Sequence, residues 1–292
     1  MKRRMVMMME TILARAQKVK VVVFDLDGTL IPREQLNGQD LSLPTEQALT
    51  KLKAQGYIVV LATARNIFYC DRLIKHPAID YVLLYNGALI YDCRQQKTLH
   101  QSTVGFVDLQ LIQQFLKQSD QQKLIKRLTI HSHKQIFVQS FNTTKLGKHL
   151  EPLRQQVLET KELQSQAQGL LLTIETKGQG SSQILGDQIN VWLNQHESQL
   201  AIQSQWDSGL FLSRQGVNKM SAIVWLCKQL NFTTDQVLAF GDAHNDIPML
   251  QGCGLGVAML NGSKQAQAVA DLIAPAAETD GCVQVLKQLQ MI

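Results

Sequence analysis

The sequence predicts an α/β protein in which a doubly wound sheet of parallel strands is interrupted by an inserted α+β domain. Short apolar runs rich in β-branched residues recur near residues 20, 60 and 240, as expected for strands buried on both faces of a parallel sheet. Segments with helical spacing separate these runs. In the middle of the chain apolar and polar residues alternate instead, which indicates a sheet with one solvent-exposed face.

The elements of the predicted core alternate between strand and helix. The first strand covers residues 20–25, with Val21, Val22 and Val23 at its centre. It is followed by a helix over 44–55, a strand over 57–62, a helix over 66–75 and a strand over 80–84; after the insert come a helix over 217–230 and strands over 237–240 and 254–259. In such sheets ligands bind beyond the carboxyl ends of the strands, so the residues directly after each apolar run are the candidates for a site.

The insert is predicted over residues 91–206, so the core is discontinuous and consists of residues 18–90 and 207–292. The insert is rich in glutamine and has alternating strands near 128–133 and 171–175. A helix is predicted from Phe106 to Leu116, where the apolar residues are spaced for packing on one face. We expect a separate small α+β domain of mainly antiparallel character.

Composition excludes several classes of protein. With 292 residues and 45% hydrophobic residues, the chain can bury a sizeable core, which excludes collagen, coiled coil and disorder. The net charge of +5, with charged residues at 18%, gives little reason to expect nucleic acid. The five cysteines never form a Cys-x-x-Cys pair, which is typical of the reduced cytoplasm. The apolar run over residues 5–9 is too short for a signal peptide or a membrane span, so no membrane is expected.

Two carboxylates two residues apart follow the first strand, in the sequence Asp25-Leu-Asp-Gly-Thr29. Burying a carboxylate costs several kcal/mol unless a cation or hydrogen bonds compensate it, so this arrangement favours a metal or a cationic partner. The alternative is purely structural: Asp27 and Gly28 supply a bend, and Asp25 caps the next helix.

A second acidic cluster, Gly241-Asp-Ala-His-Asn-Asp246, follows the buried strand 237–240. The ends of parallel strands meet at one edge of a sheet, so Asp242 and Asp246 can approach Asp25 and Asp27. Their oxygen atoms suit a hard cation, above all Mg²⁺. His244 alone among aspartates is the wrong ligand set for zinc and is interpreted as a loop residue.

Two further features lie between these clusters. Thr63-Ala-Arg65 ends the second strand, and Lys219 begins the helix over 217–230. A hydroxyl, adjacent backbone N–H groups and an ammonium can together hold the oxygens of a phosphoryl group. Either feature alone is weak, because threonine often caps helices and lysine often lies on their surface.

Along the chain, the four motifs begin with Asp25, Thr63, Lys219 and Gly241. Taken in this order, they resemble the motifs of the haloacid dehalogenase superfamily of phosphohydrolases. The position of the insert, with Asn86-Gly-Ala88 before it and Gly216-Val-Asn-Lys219 after it, is similar to the Cof-type sugar-phosphatase branch. The resemblance implies a Rossmann-like core with an inserted cap domain. It also implies a Mg²⁺-dependent phosphomonoester hydrolase acting on a small phosphorylated metabolite, with a sugar or polyol phosphate as the expected substrate.

The resemblance also implies roles for single residues. Asp25 is the nucleophile that forms an aspartyl-phosphate, and Asp27 is the general acid and base, for which a raised pKa is required. Mg²⁺ is bound by Asp25, the Asp27 backbone carbonyl and Asp242. The phosphate contacts are Leu26, Thr63, Ala64, Lys219 and Asn245; the supporting residues are Thr29, which orients Asp27 or its loop, together with Asp246, Arg65 and Asn86.

Two positions depart from the family pattern without removing a reactive group. Ala64 replaces the glycine of the second motif, which matters only if that residue needs a positive φ, and Met220 follows the motif lysine. Two alternatives to a hydrolase stay open: a phosphomutase, and a non-catalytic sensor of a phosphorylated ligand. The expected assembly is a monomer or a small homo-oligomer, with a small-molecule substrate as partner.

Overall fold

The computed structural model describes residues 2–35, 40–141, 146, 150–178 and 180–292. They divide into two compact units: Met1–Arg65, Tyr69–Leu99 and Asn218–Ile292 form the first, and Asn66–Phe68 with His100–Val217 form the second. The predicted boundaries at 91 and 206 differ from these, because strands at Leu89–Asp92 and Lys97–Gln101 belong to the first sheet and Gly209–Arg214 belongs to the second. That the second unit acts as a cap stays a prediction.

The described residues form fourteen strands and nine α-helices. The strands are β1 Val21–Phe24, β2 Ile58–Ala62, β3 Tyr81–Leu84, β4 Leu89–Asp92, β5 Lys97–Gln101, β6 Ile125–His131, β7 Ile136–Ser140, β8 Val157–Glu159, β9 Leu171–Thr176, β10 Leu200–Trp206, β11 Gly209–Arg214, β12 Val237–Gly241, β13 Leu255–Met259 and β14 Leu272–Ala274. The helices are α1 Lys2–Ala16, α2 Leu43–Ala54, α3 Phe106–Leu116, α4 Ser119–Leu124, α5 Ser181–Gln195, α6 Lys219–Gln229, α7 Ile247–Gly252, α8 Lys264–Val269 and α9 Gly281–Gln288.

The sheet of the first unit has eight strands in the order β14-β13-β12-β1-β2-β3-β4-β5. The strands from β14 to β3 are parallel, and β4 runs antiparallel to β3. Strand β1 lies between β12 and β2, with Phe24 opposite Phe240 on one side and opposite Leu61 on the other. All four residues of β1 are buried, which explains its uninterrupted apolar sequence. The predicted α/β class with a doubly wound parallel core is confirmed.

The predicted helix over residues 66–75 is wrong. The chain forms only a short 3₁₀ helix, Ile67–Cys70, followed by turns. Ile67, Phe68 and Tyr69 have modest helix propensity, because β-branched and aromatic side chains lose rotamer freedom in a helix. The Tyr69 carbonyl accepts a hydrogen bond from the Arg65 guanidinium at 3.4 Å. The backbone here is therefore shaped by its hydrogen bond to the Arg65 side chain and does not form the regular bonds of an α-helix.

Helix α1 was not predicted from the sequence. Its last turn is attached to the sheet by Arg15, whose guanidinium donates to both carboxylate oxygens of Asp271 at 2.7 and 2.9 Å and to the Gly254 carbonyl at 2.8 Å. These partners are more than 200 residues away in sequence, so no local pattern could indicate them. Neither α1 nor any other described helix has the length and apolar character needed to cross a membrane.

The second unit contains a six-stranded sheet in the order β10-β11-β9-β6-β7-β8. Its pairs are antiparallel except β7 with β8, which is parallel. Helices α3 and α5 contribute Leu109, Ile112, Leu185 and Ile189 to one hydrophobic cluster with the strands. The helix predicted from Phe106 to Leu116 is confirmed over its whole length.

Candidate active site

Three carboxylates meet at the carboxyl edge of the first sheet. Asp25 follows β1 and its backbone N–H donates to the Phe240 carbonyl at 3.0 Å, while Asp242 follows the neighbouring strand β12. Asp246 lies four residues further on, and one oxygen from each of these three carboxylates lies within 4.8 Å of the others. All three residues are buried. The predicted convergence of the two acidic clusters is therefore present, with Asp27 set apart from it.

Lys219 is fully buried and binds two of these carboxylates. Its Nζ atom donates to Oδ1 of Asp25 at 2.5 Å and to Oδ1 of Asp246 at 2.6 Å. Lys219 is the first residue of α6, and Asn218 caps that helix by accepting from the Ser221 N–H at 2.9 Å. Gly87, with φ of +97°, packs so closely there that a Cβ atom would lie 2.3 Å from the Asn218 carbonyl oxygen. The loop between β3 and β4, which contains Gly87, thus holds the start of α6 in place.

Burial and excess negative charge dominate the electrostatics. Burial raises the pKa of Asp25 well above its usual value, Lys219 opposes that rise, and the carboxylates of Asp246, Asp242 and Asp27 add to it. Burial also raises the pKa of Asp242. For Lys219, burial acts to lower the pKa, but Asp246 and Asp25 outweigh it and the net shift is upward. The ammonium is therefore firmly charged, while the carboxylates are under-compensated.

Both oxygens of Asp246 have structural partners. Oδ1 binds Lys219, and Oδ2 accepts the backbone N–H groups of Asp242 and Ala243, each at 2.9 Å. These bonds fix the loop that carries Asp242. In this arrangement Asp246 holds the loop and the lysine in position, which suits the supporting role expected of it.

Asp242 has two side-chain partners that the sequence did not indicate. Oδ2 accepts from Arg33, through Nε at 3.2 Å and through a second, shorter bond from Nη2. The Thr29 hydroxyl reaches Oδ1 of Asp242 at 3.4 Å. That Thr29 orients Asp27 or its loop stays a prediction. Gly28, at φ +94°, allows this approach, because a Cβ atom there would lie 2.5 Å from Oδ2 of Asp242.

Asp27 is not part of the cluster of Asp25, Asp242 and Asp246, and it is paired with Arg65 instead. The guanidinium donates through Nε to Oδ2 at 2.9 Å and through Nη2 to Oδ1 at 2.5 Å. Thr63 supports the loop, since its hydroxyl accepts the Arg65 backbone N–H at 3.0 Å. Arg65, predicted only as a supporting residue, thus contacts the expected acid and base directly.

Comparison with known proteins identifies the family. A model of the haloacid dehalogenase-like hydrolases matches residues 22–286, nearly the whole chain. The chain belongs to this family. The hydrolase is of the phosphatase type, as are the relatives described below, and the resemblance seen in the four motifs is confirmed.

Three relatives illustrate the similarity. The hydrolase is 22% identical to the 5-amino-6-(5-phospho-D-ribitylamino)uracil phosphatase YcsE of Bacillus subtilis, over 92% of this chain and 95% of that protein. It is 26% identical to the pyridoxal phosphate phosphatase YbhA of Escherichia coli, over 91% of this chain and 97% of that one. Its fold matches the subclass IIB sugar phosphatase BT4131 with a TM-score of 0.74, at 19% identity over 94% and 100% of the two chains.

Asn86 and Asn245, two further predicted residues of the hydrolase, contact each other. The Asn245 amide donates from Nδ2 to Oδ1 of Asn86 at 3.1 Å. Tyr85, Asn86 and Gly87 all have positive φ, at 53°, 58° and 97°. Non-glycine residues adopt this conformation at a cost, so Tyr85 and Asn86 in succession mark a loop fixed by its surroundings. Asn245 is thereby held by a rigid loop.

The remaining predicted residues lie in the expected loops. Leu26 is buried directly after β1, and Ala64 follows Thr63. Among the non-glycine residues that the structure describes, seven have a positive φ and Ala64 is not one of them, so an alanine fits this position without strain. Met220 lies against Gly252 and Cys253, where its side chain fills space beside α7.

Asn261 is another residue that the motifs did not indicate. Its Nδ2 donates to the Gly28 carbonyl at 2.8 Å and its Oδ1 accepts the Ala277 N–H at 3.0 Å, which ties the first motif to the loop before α9. A cavity of about 1100 Å³ is found in the second unit, lined in part by Gln110, Gln113 and Gln114. None of the predicted catalytic residues lines that cavity, so its size does not locate the chemistry.

Proposed function

We propose that the protein is a Mg²⁺-dependent phosphomonoester hydrolase that works through an aspartyl-phosphate on Asp25. The observation that carries the proposal is the buried ion cluster in which Lys219 bridges Asp25 and Asp246 while Asp242 lies within 4.8 Å. Such a cluster combines a nucleophile, a fixed cation and an oxygen-rich cation site at the end of two neighbouring strands.

The residues present fit a magnesium ion. Hard divalent cations take oxygen ligands, and three buried carboxylates with mutually close oxygens form a suitable donor set. We assign Asp25, the Asp27 backbone carbonyl and Asp242 as the residues that would hold the ion. When bound, Mg²⁺ supplies positive charge that offsets the repulsion between carboxylate and phosphate.

Asp25 is the proposed nucleophile. Its attack on phosphorus would form the aspartyl-phosphate and expel the alkoxide of the substrate. Lys219 fixes one carboxylate oxygen and contributes positive charge to the phosphoryl oxygens. The backbone N–H groups of Leu26 and Ala64, the Thr63 hydroxyl and the Asn245 amide are the proposed further phosphate contacts.

Asp27 is the proposed general acid, and then the base that activates the hydrolytic water. Both of its oxygens accept from Arg65, which orients the carboxyl group for proton transfer. Arg65 would hold the side chain between turnovers, which gives this arginine a positioning role in proton transfer.

The proposed substrates are small phosphorylated metabolites, with sugar and polyol phosphates first among them. Support comes from the relatives, whose names specify a ribityl phosphate, pyridoxal phosphate and sugar phosphates, and from the glutamine-rich second unit, whose amides suit hydroxyl groups. The second unit is the proposed cap that selects among them. All five cysteines are free and buried, which supports a cytoplasmic location.

The test replaces Asp25 by asparagine. We expect Mg²⁺-dependent phosphate release from an aryl phosphate to fall at least about 10³-fold, because the attacking oxygen is removed. Wild-type enzyme quenched during turnover of a ³²P-labelled substrate should carry hydroxylamine-sensitive label, and D25N should carry none.

Asp71→Asn is the matched control, because Asp71 is an exposed carboxylate whose ion-pair partner among the described residues is the nearby Lys75. It should keep wild-type activity, and circular dichroism should show that both variants are folded. Retention of most activity by D25N would overturn the nucleophile assignment. Label returned to a second position of the substrate, instead of released as phosphate, would point to the phosphomutase alternative.

A further inference from the structure

Arg33 contacts the proposed metal ligand Asp242 and lies outside all four motifs. It belongs to a short 3₁₀ helix, Arg33–Gln35, that follows the first motif loop. Two of its donors, Nε and Nη2, converge on the single oxygen Oδ2 of Asp242. The Asp242 side chain is fully buried, whereas that of Arg33 is 54% exposed. A half-exposed cation therefore neutralises a buried anion at the edge of the site.

Arg33 contributes little to the fold apart from its contact with Asp242. Among the described residues, Asp242 is the one recorded partner of the Arg33 side chain. A three-residue helix and a half-exposed side chain can rearrange at small cost, because few packed contacts are broken. The buried carboxylate, in contrast, is fixed by its loop through Asp246 and cannot follow.

The space around Oδ2 is already filled by close neighbours. A Cβ atom at Gly28 would lie 2.5 Å from Oδ2 of Asp242 and 2.9 Å from Nε of Arg33, so the glycine backbone packs against both groups. A divalent cation bound to this oxygen would share a small space with a guanidinium of like charge. Like charges this close repel each other, so a cation that binds Oδ2 must displace the guanidinium.

We propose that Arg33 is an internal counter-cation for Asp242 that Mg²⁺ must displace in order to bind. The inference rests on the proposed magnesium site. It assigns Arg33 a role in setting metal affinity: the guanidinium stabilises the enzyme without metal and weakens its affinity for Mg²⁺. Metal binding releases the side chain towards solvent, where its exposed half already lies.

The direct test is calorimetric titration of EDTA-treated protein with MgCl₂ at constant ionic strength. Arg33→Gln should bind Mg²⁺ about tenfold more tightly than the wild type, because no competing cation remains. Arg33→Lys keeps the charge but loses the planar fork whose two nitrogens both reach Oδ2, so its Kd should fall between the two. Arg72→Gln is the matched control, since Arg72 pairs with Asp40 on the surface, and its Kd should equal that of the wild type.

A second readout is thermal unfolding with and without metal. R33Q should unfold at a lower temperature than the wild type in EDTA, and the two should coincide at saturating Mg²⁺, where Arg33 no longer binds Asp242. Equal Kd values, or weaker binding by R33Q, overturn the inference while the proposed hydrolase stands. Absence of Mg²⁺ binding by the wild type and every variant overturns the proposed metal site itself.

Discussion

Two clusters of buried charge lie at opposite ends of the first sheet, and they are balanced differently. Asp80 precedes β3 at its amino end and accepts from Lys53 at 2.6 and 2.7 Å, from Arg94 at 2.8 Å and from the Val59 N–H at 3.0 Å. One carboxylate there has two cations. At the carboxyl end, Asp25 and Asp246 share Lys219, and the cation paired with Asp242 is the half-exposed Arg33.

The difference separates a structural cluster from a reactive one. A carboxylate such as Asp80, whose single charge is matched by two cations, has little capacity to attract a further cation. Carboxylates left in excess in a buried place raise one another's pKa and lower the stability of the fold, and a cation relieves that cost. The imbalance, rather than the number of acidic residues, marks the site.

The largest effect on stability is expected from Lys219→Met. Removal of the ammonium leaves Asp25 and Asp246 buried without a counter-charge, so the free energy of unfolding in EDTA should fall by about 3–5 kcal/mol. Lys53→Met is the control at the other cluster. Its loss should be about 1 kcal/mol or less, because Lys53 is partly exposed and Arg94 still binds Asp80. Urea denaturation measures both, and equal losses would contradict the distinction between the clusters.

A smaller effect is expected from Asp80→Asn. The change removes the charge that holds Lys53 and Arg94, so the free energy of unfolding should fall by about 1–3 kcal/mol. The catalytic rate per folded molecule should be unchanged, because the cluster lies at the amino end of the sheet. Denaturation gives the first quantity and phosphate release at low temperature the second. A large fall in kcat with stability intact would assign Asp80 to the reaction.

The smallest effect concerns pH. The pKa of Asp25 is raised well above 3.8, so the native protein binds this proton more tightly than the unfolded chain does. The associated stability is present below about pH 4 and is lost as pH rises through the native pKa. In EDTA, the unfolding free energy of the wild type relative to Asp25→Asn should therefore fall by about 1 kcal/mol or more between acid and neutral pH. A flat or rising difference would contradict the burial of an under-compensated carboxylate.

Much of the fold and site follows from local sequence. The uninterrupted apolar sequences of β1 and β12 predict buried strands. If these strands are parallel neighbours, Asp25 and Asp242, which follow their carboxyl ends, must lie close together. The partners that sequence reasoning missed, Arg33 for Asp242 and Arg15 for Asp271, are separated by more than 200 residues and obey no spacing rule. The helix predicted over 66–75 failed for a local reason, since the Tyr69 carbonyl accepts from the side chain of Arg65, four residues earlier, instead of continuing a helix.

Gly28 has a consequence for which changes the protein can tolerate. Alanine at this position alters neither charge nor polarity, and by composition the exchange is among the mildest available. Yet the added methyl group would occupy space 2.5 Å from a carboxylate oxygen of Asp242, on a backbone with φ of +94°. Sequence variation should therefore be more restricted at this neutral position than at many charged ones. The reason is that Gly28 matters because it has no side chain.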